Sequence, residues 1–225
     1  MKFKQYKIPS KSRESGFTII ESLIALVVVS ILMVAIAPVI VFSTATRVQS
    51  RRIELAIQAA KAYIEGVRTG TISVSDAAFE VDKDTYDDIS KFPTPAVGNL
   101  TCATNNAYCA QPTTNLYCID GDGGGCTTGS NKDFLIQAFR YSKASTDSTT
   151  GYLLGVRVYR SDGFTNDGNL EKAPATQGAV TSGLGEKKTP LVEINTEISS
   201  NTDSFNDLCK RLEDNTKTDT NSTCT

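Results

Sequence analysis

Residues 22–46, from Ser22 to Thr46, carry no charged side chain. Leu, Ile, Val and Ala dominate the run, and its polar members are Ser22, Ser30, Ser43, Thr44 and Thr46. A helix rising about 1.5 Å per residue crosses the roughly 30 Å hydrocarbon layer with about 20 such residues. The run therefore predicts a membrane span. A secretory signal has a shorter apolar stretch that ends at a small-residue cleavage site. Here helical periodicity continues past the run. An uncleaved signal anchor fits the length, but it does not account for the residues in front.

Those residues have two parts. Lys2, Lys4, Lys7, Lys11 and Arg13 stand against Glu14 in a basic leader. Then comes Ser15-Gly16-Phe17-Thr18-Ile19-Ile20-Glu21-Ser22-Leu23. Together they resemble the type IV prepilin signature: a short basic leader ending in Gly, then Phe, Thr, and Glu as fifth residue of the mature chain. Pro38 falls where many members of that family carry proline. The resemblance implies cleavage between Gly16 and Phe17 by a membrane prepilin peptidase, with methylation of the new Phe17 amine. It also implies storage as a single-pass protein of the inner membrane, N-terminus cytoplasmic and C-terminal domain periplasmic, before entry into a filament. Charge alone does not orient the span, because Arg47, Arg51, Arg52 and Lys61 follow it closely.

A carboxylate at the edge of an apolar segment is costly unless paired, so Glu21 calls for a partner or for lipid headgroups. The family model supplies one: Glu21 of an incoming subunit meets the Phe17 amine of a neighbour. A slipped subunit then leaves charge unmatched, which sets axial register. Pro38 deprives the Val34 carbonyl of its helical donor. That reads either as a tolerated kink or as a weak point used in assembly.

Beyond the span, Ile53, Ile57, Ala60, Ile64 and Val67 recur at three- and four-residue intervals and predict one apolar stripe. The helix is expected to end near Gly66 or Gly70. The chain thus divides into a leader (1–16), a transmembrane or filament-core helix (17–42), its amphipathic continuation (43–70) and a globular domain (71–225). Within that domain, residues 71–130 read as a connector broken by Pro93, Pro95 and Pro112, with a flexible turn at Asp120–Gly125. Strands are predicted at 134–142, 152–160 and 190–198, the last with alternation that suggests one buried face. The fold class is α+β, pilin-like: a long N-terminal helix packed on a small antiparallel sheet, with a disulfide-stapled C-terminal region.

The chain contains no histidine. This removes Ser-His-Asp and Cys-His activation and the HExxH zinc site, and an enzyme is not expected. Net charge is −2, so nothing global favours nucleic acid. Six cysteines (Cys102, Cys109, Cys118, Cys126, Cys209 and Cys224) lie beyond residue 100 with no CxxC pair. Disulfides in an oxidising compartment are the simplest reading. Proximity favours Cys209–Cys224, and less strongly Cys102–Cys109 and Cys118–Cys126. Asp162, Asn166, Asp167, Asn169 and Glu171 form an oxygen-rich loop, but Phe164 breaks the EF-hand spacing. A solvated turn is the expectation, with no metal and no cofactor.

The stretch from Ile36 to Arg68 resembles, more narrowly, cyanobacterial pseudopilins of the hormogonium polysaccharide secretion system. The implied role is structural: a pseudopilin or minor pilin in a type IV pilus or type II secretion-like filament serving polysaccharide secretion and linked motility. Its partners would be the prepilin peptidase, other pilin-like subunits, the assembly platform and the membrane. The alternative is a minor pilin whose C-terminal domain mediates adhesion or DNA uptake.

Overall fold

The computed structural model describes residues 16–74, 77–81, 89–102, 106–141, 151–175 and 185–199, with single positions 178 and 205. Contacts divide the chain into two compact units, Met1–Thr44 and Ala45–Thr225. One helix, α1, runs from Ile19 to Arg68 and passes through Pro38. Its C-terminus closes as the sequence predicts. Gly70 takes φ +73° and its N–H reaches Val67 O at 3.1 Å, while Thr69 N donates to Glu65 O at 2.9 Å.

In the first unit every large apolar side chain from Phe17 to Phe42 is exposed, Phe42 least at 46%. An all-round apolar helix meets its backbone hydrogen bonds internally and needs an apolar medium or partner around it. Its hydroxyls are also turned inward to the backbone. Ser30 Oγ donates to Leu26 O at 2.7 Å and Thr44 Oγ1 to Val41 O at 2.9 Å.

The second unit holds the sheet. Strands β1 (Thr101–Cys102) and β2 (Cys109–Gln111) pair as a small antiparallel ribbon. Strands β3 (Leu116–Ile119), β4 (Phe134–Tyr141), β5 (Tyr152–Arg160) and β6 (Val192–Ile198) form an antiparallel sheet in that order. Ala56, Ala60, Tyr63, Ile64 and Val67 of α1 pack on Phe134, Ile136, Ala138, Leu154, Val156 and Val158. The buried face is rotated from the predicted stripe: Ile53 and Ile57 are only half-buried, whereas Ala56, Ala59 and Tyr63 are buried. Alanines let helix and sheet approach closely.

Two expectations need correction. The 71–130 segment is more than a connector, because it supplies β1, β2 and β3 and covers the back of the sheet. There Leu116, Cys118, Leu135, Tyr159, Phe164 and Leu170 form a second core. The Asp120–Gly125 turn is also pinned rather than loose. Asp120 accepts backbone N–H groups from Asp122, Gly123 and Gly125 at 2.7–2.9 Å. Gly125 N–H first, then those of Asp122 and Gly123, hold its carboxyl below the usual range.

Disulfides join Cys102 to Cys109 and Cys118 to Cys126, tying the β1–β2 ribbon and anchoring β3 to the following loop. Cys209 and Cys224 lie outside the described residues.

The back face also carries a buried cation. Arg157 of β5 is wholly buried, with Nε 3.0 Å from Glu193 Oε1. It donates Nη2 to Ser90 O at 2.7 Å and Nη1 to Phe92 O at 2.8 Å. Its guanidinium lies 4.5 Å from the centre of Phe139, which stacks at 4.8 Å on Phe92. Gly155 makes room for this stack, since a Cβ there falls 2.2 Å from Phe139 Cε2. With Phe92 and Arg157 already against that ring, retreat is blocked. Gly155→Ala is expected to destabilise the folded protein by about 1–3 kcal/mol through overpacking. Thermal unfolding in detergent checks this, and an unchanged midpoint means the ring can move.

Candidate functional site

The N-terminal segment is positioned by a helix start. Gly16, Phe17 and Thr18 precede α1, and the backbone N–H of Glu21 donates to Thr18 Oγ1 at 3.3 Å. Thr18 and Glu21 have the spacing of a capping box, in which a Thr side chain satisfies the N–H three residues on. Glu21 then sits in the first turn, where the helix dipole favours negative charge. Its side chain is exposed, as is Phe17 at 85%. A Cβ added to Gly16 meets nothing within 4 Å. The fold itself therefore does not require glycine at that position, so any such demand comes from an outside partner. The Thr-x-x-Glu spacing is the sequence signal for this helix cap, although within the prepilin-like signature Thr18 draws notice only as a motif residue.

The second unit offers a groove of about 830 Å³ between α1 and β3, walled by Val48, Leu55, Ala59, Tyr117 and Ile119, with Arg52 and Lys132 among its lining. Its lining holds no carboxylate and no cysteine among the described residues. Beside it, Tyr63 and Tyr108 share a 2.6 Å hydroxyl–hydroxyl hydrogen bond, and Tyr108 O–H can donate to Ser73 O at 3.0 Å. Burial raises both phenols, Tyr108 to about 12. They stay protonated at neutral pH and act as structural hydrogen-bonding groups rather than bases.

Carboxylates gather in two loops. Oxygens of Asp120, Asp122 and Asp133 lie within 4.8 Å of one another. Backbone N–H groups occupy them: Gly121 N donates to Asp133 Oδ1 at 3.0 Å and Gly124 N to Asp122 Oδ1 at 3.2 Å. In the 162–171 loop, Asp162 pairs with Arg160 and Asp167 with Lys188. Asn166, Asp167, Asn169 and Glu171 are exposed, as a solvated turn requires, and the two ion pairs anchor the loop at Asp162 and Asp167.

Residues 11–37 match the model of the prokaryotic N-terminal methylation motif. No curated protein and no solved structure matches the chain. The motif supports a type IV pilin or pseudopilin, with processing by a prepilin peptidase and assembly with other pilins. Such a protein is structural rather than enzymatic. The motif and the apolar first part of α1 together fit a single-pass inner-membrane anchor.

Proposed function

We propose that the chain is a pseudopilin or minor pilin precursor, cut after Gly16 and methylated on Phe17. It waits in the inner membrane with its C-terminal domain in the periplasm, then polymerises through α1. Glu21 pairs with the Phe17 amine of a neighbouring subunit, and Pro38 marks the stretch of helix that loosens on assembly. The filament serves polysaccharide secretion and linked motility, a reading supported by the resemblance of Ile36–Arg68 to hormogonium pseudopilins.

One observation carries the proposal. The methylation motif covers the junction at which a non-helical Gly16-Phe17-Thr18 gives way to a helix apolar on every side. The cleavage test is N-terminal mass analysis of the protein from cells with an active prepilin peptidase. A mature chain beginning at methylated Phe17 is expected, and Gly16→Ala is expected to be processed better than bulky replacements. An intact leader sinks the proposal. Co-purification with the tagged mature chain then addresses the role: pilin-like subunits and polysaccharide export components are expected, and their absence overturns the secretion reading.

A further inference from the structure

The loop from Gly163 to Asp167 is wrapped around an ammonium group. Lys188 Nζ donates to Gly163 O at 2.8 Å and to Thr165 O at 2.6 Å, and lies 2.6 Å from Asp167 Oδ1. An ammonium has three N–H donors and no acceptor, so these three oxygens use its full capacity. Lys188 is only 9% exposed, unusual burial for a lysine and explained here by complete pairing. The surroundings enforce the arrangement. Thr165 Oγ1 donates to Asp167 Oδ1 at 2.6 Å and orients the carboxylate. Gly163 lets the loop lie against the strand of chain that carries the lysine, since a Cβ there falls 2.3 Å from Lys187 O. Glu171 N donates to Lys188 O at 2.9 Å and closes the far side.

Two backbone carbonyls and a carboxylate converging on one point are ligands suited to a hard cation, which prefers oxygen donors. We infer that the 163–167 loop forms a cation site that the chain fills with its own Lys188 ammonium, so that the loop is ordered without dissolved divalent ions. The lysine side chain is a tethered ion: it cannot be diluted away or chelated. The carboxyl of Asp167, drawn down to about 2 chiefly by its hydrogen bond to Lys188, stays ionised across the ordinary pH range.

The test uses the full mature chain in detergent, with thermal unfolding read in calcium, in a chelator, and in sodium chloride of matched ionic strength. Wild type is expected to unfold at one midpoint in all three. Lys188→Ala strips the charge-assisted bonds from three oxygens and is expected to lower the midpoint by about 5 °C in chelator. Millimolar calcium is expected to restore at least half of that loss, with water completing its shell, and sodium none. Lys188→Met, which fills the space with an apolar chain, is expected to lose stability without calcium rescue. A calcium-sensitive wild type overturns the inference, as does a Lys188→Ala midpoint that matches wild type or ignores calcium. Should the alanine variant fail to accumulate, Asp167→Asn keeps the lysine and replaces the carboxylate with a neutral amide oxygen. It is expected to lower the midpoint by about 2 °C, and no change overturns the inference equally.

Discussion

Glu21→Val is expected to yield a protein that is cleaved, inserted and folded, yet fails to enter filaments. Folding and insertion survive for local reasons. The helix start depends on Thr18 accepting the Glu21 backbone N–H, which valine retains. The lost interaction with the helix dipole is worth only about 0.3–1 kcal/mol. Valine also extends the apolar run, easing retention in the bilayer. Assembly is different, because a neighbour's Phe17 amine is left without its proposed partner in a low-dielectric core. Breaking a buried pair typically costs about 3–5 kcal/mol. Glu21→Gln keeps the shape while removing the charge, and poor assembly is expected for it too. Cross-linking or filament pull-down with the tagged variants reads the outcome. Normal incorporation of both refutes the pairing and leaves Glu21 as a helix-start residue.

Arg157→Ala should be the most damaging single change in the second unit. It removes donors from Ser90 O and Phe92 O, strips the cation from the Phe139 ring and strands Glu193, whose side chain is only 9% exposed. Glu193 loses its counter-charge while Ala173 N–H still reaches its Oε2, and Phe92 O falls back on Lys172 Nζ at 3.2 Å; together these changes set a loss of about 3–5 kcal/mol. For a chain of this size that is on the order of 10 °C in midpoint. Limited proteolysis adds a positional readout, with cleavage expected to appear near residues 89–93. Replacing both partners, Arg157→Met with Glu193→Met, is expected to recover part of the loss because no charge is left buried. A single-mutant loss below about 1 kcal/mol would show that the clamp is ornamental.

The elements legible in the sequence were those with long, uniform signals. The helix, its end near Gly70, and β4, β5 and β6 are of this kind, with strand ends displaced by a residue or two. β3 escaped because Leu116–Ile119 is four residues set among Pro, Cys and Gly. The two-sided burial of β4 and β5 was hidden by their polar members. Gln137, Arg140 and Arg157 are all buried, yet each suggests a solvent-facing position when read alone. Lys188 escaped for a similar reason: its partners lie more than 20 residues away, and no local pattern announces them. The N-terminal residues are the opposite case. Gly16, Phe17 and Glu21 stand out in sequence because they fall within the methylation motif, whereas the fold makes no packing demand on them.

The Arg157 clasp has an evolutionary consequence. Its grip on the covering segment reaches Ser90 and Phe92 through main-chain oxygens. Every residue type offers a carbonyl, so this grip does not depend on which side chain stands at position 90. Phe92 is more constrained, because its ring is also stacked. Across related chains, residue 157 should therefore stay arginine while the stretch it holds diverges, leaving an invariant cation facing a segment that shows little kinship.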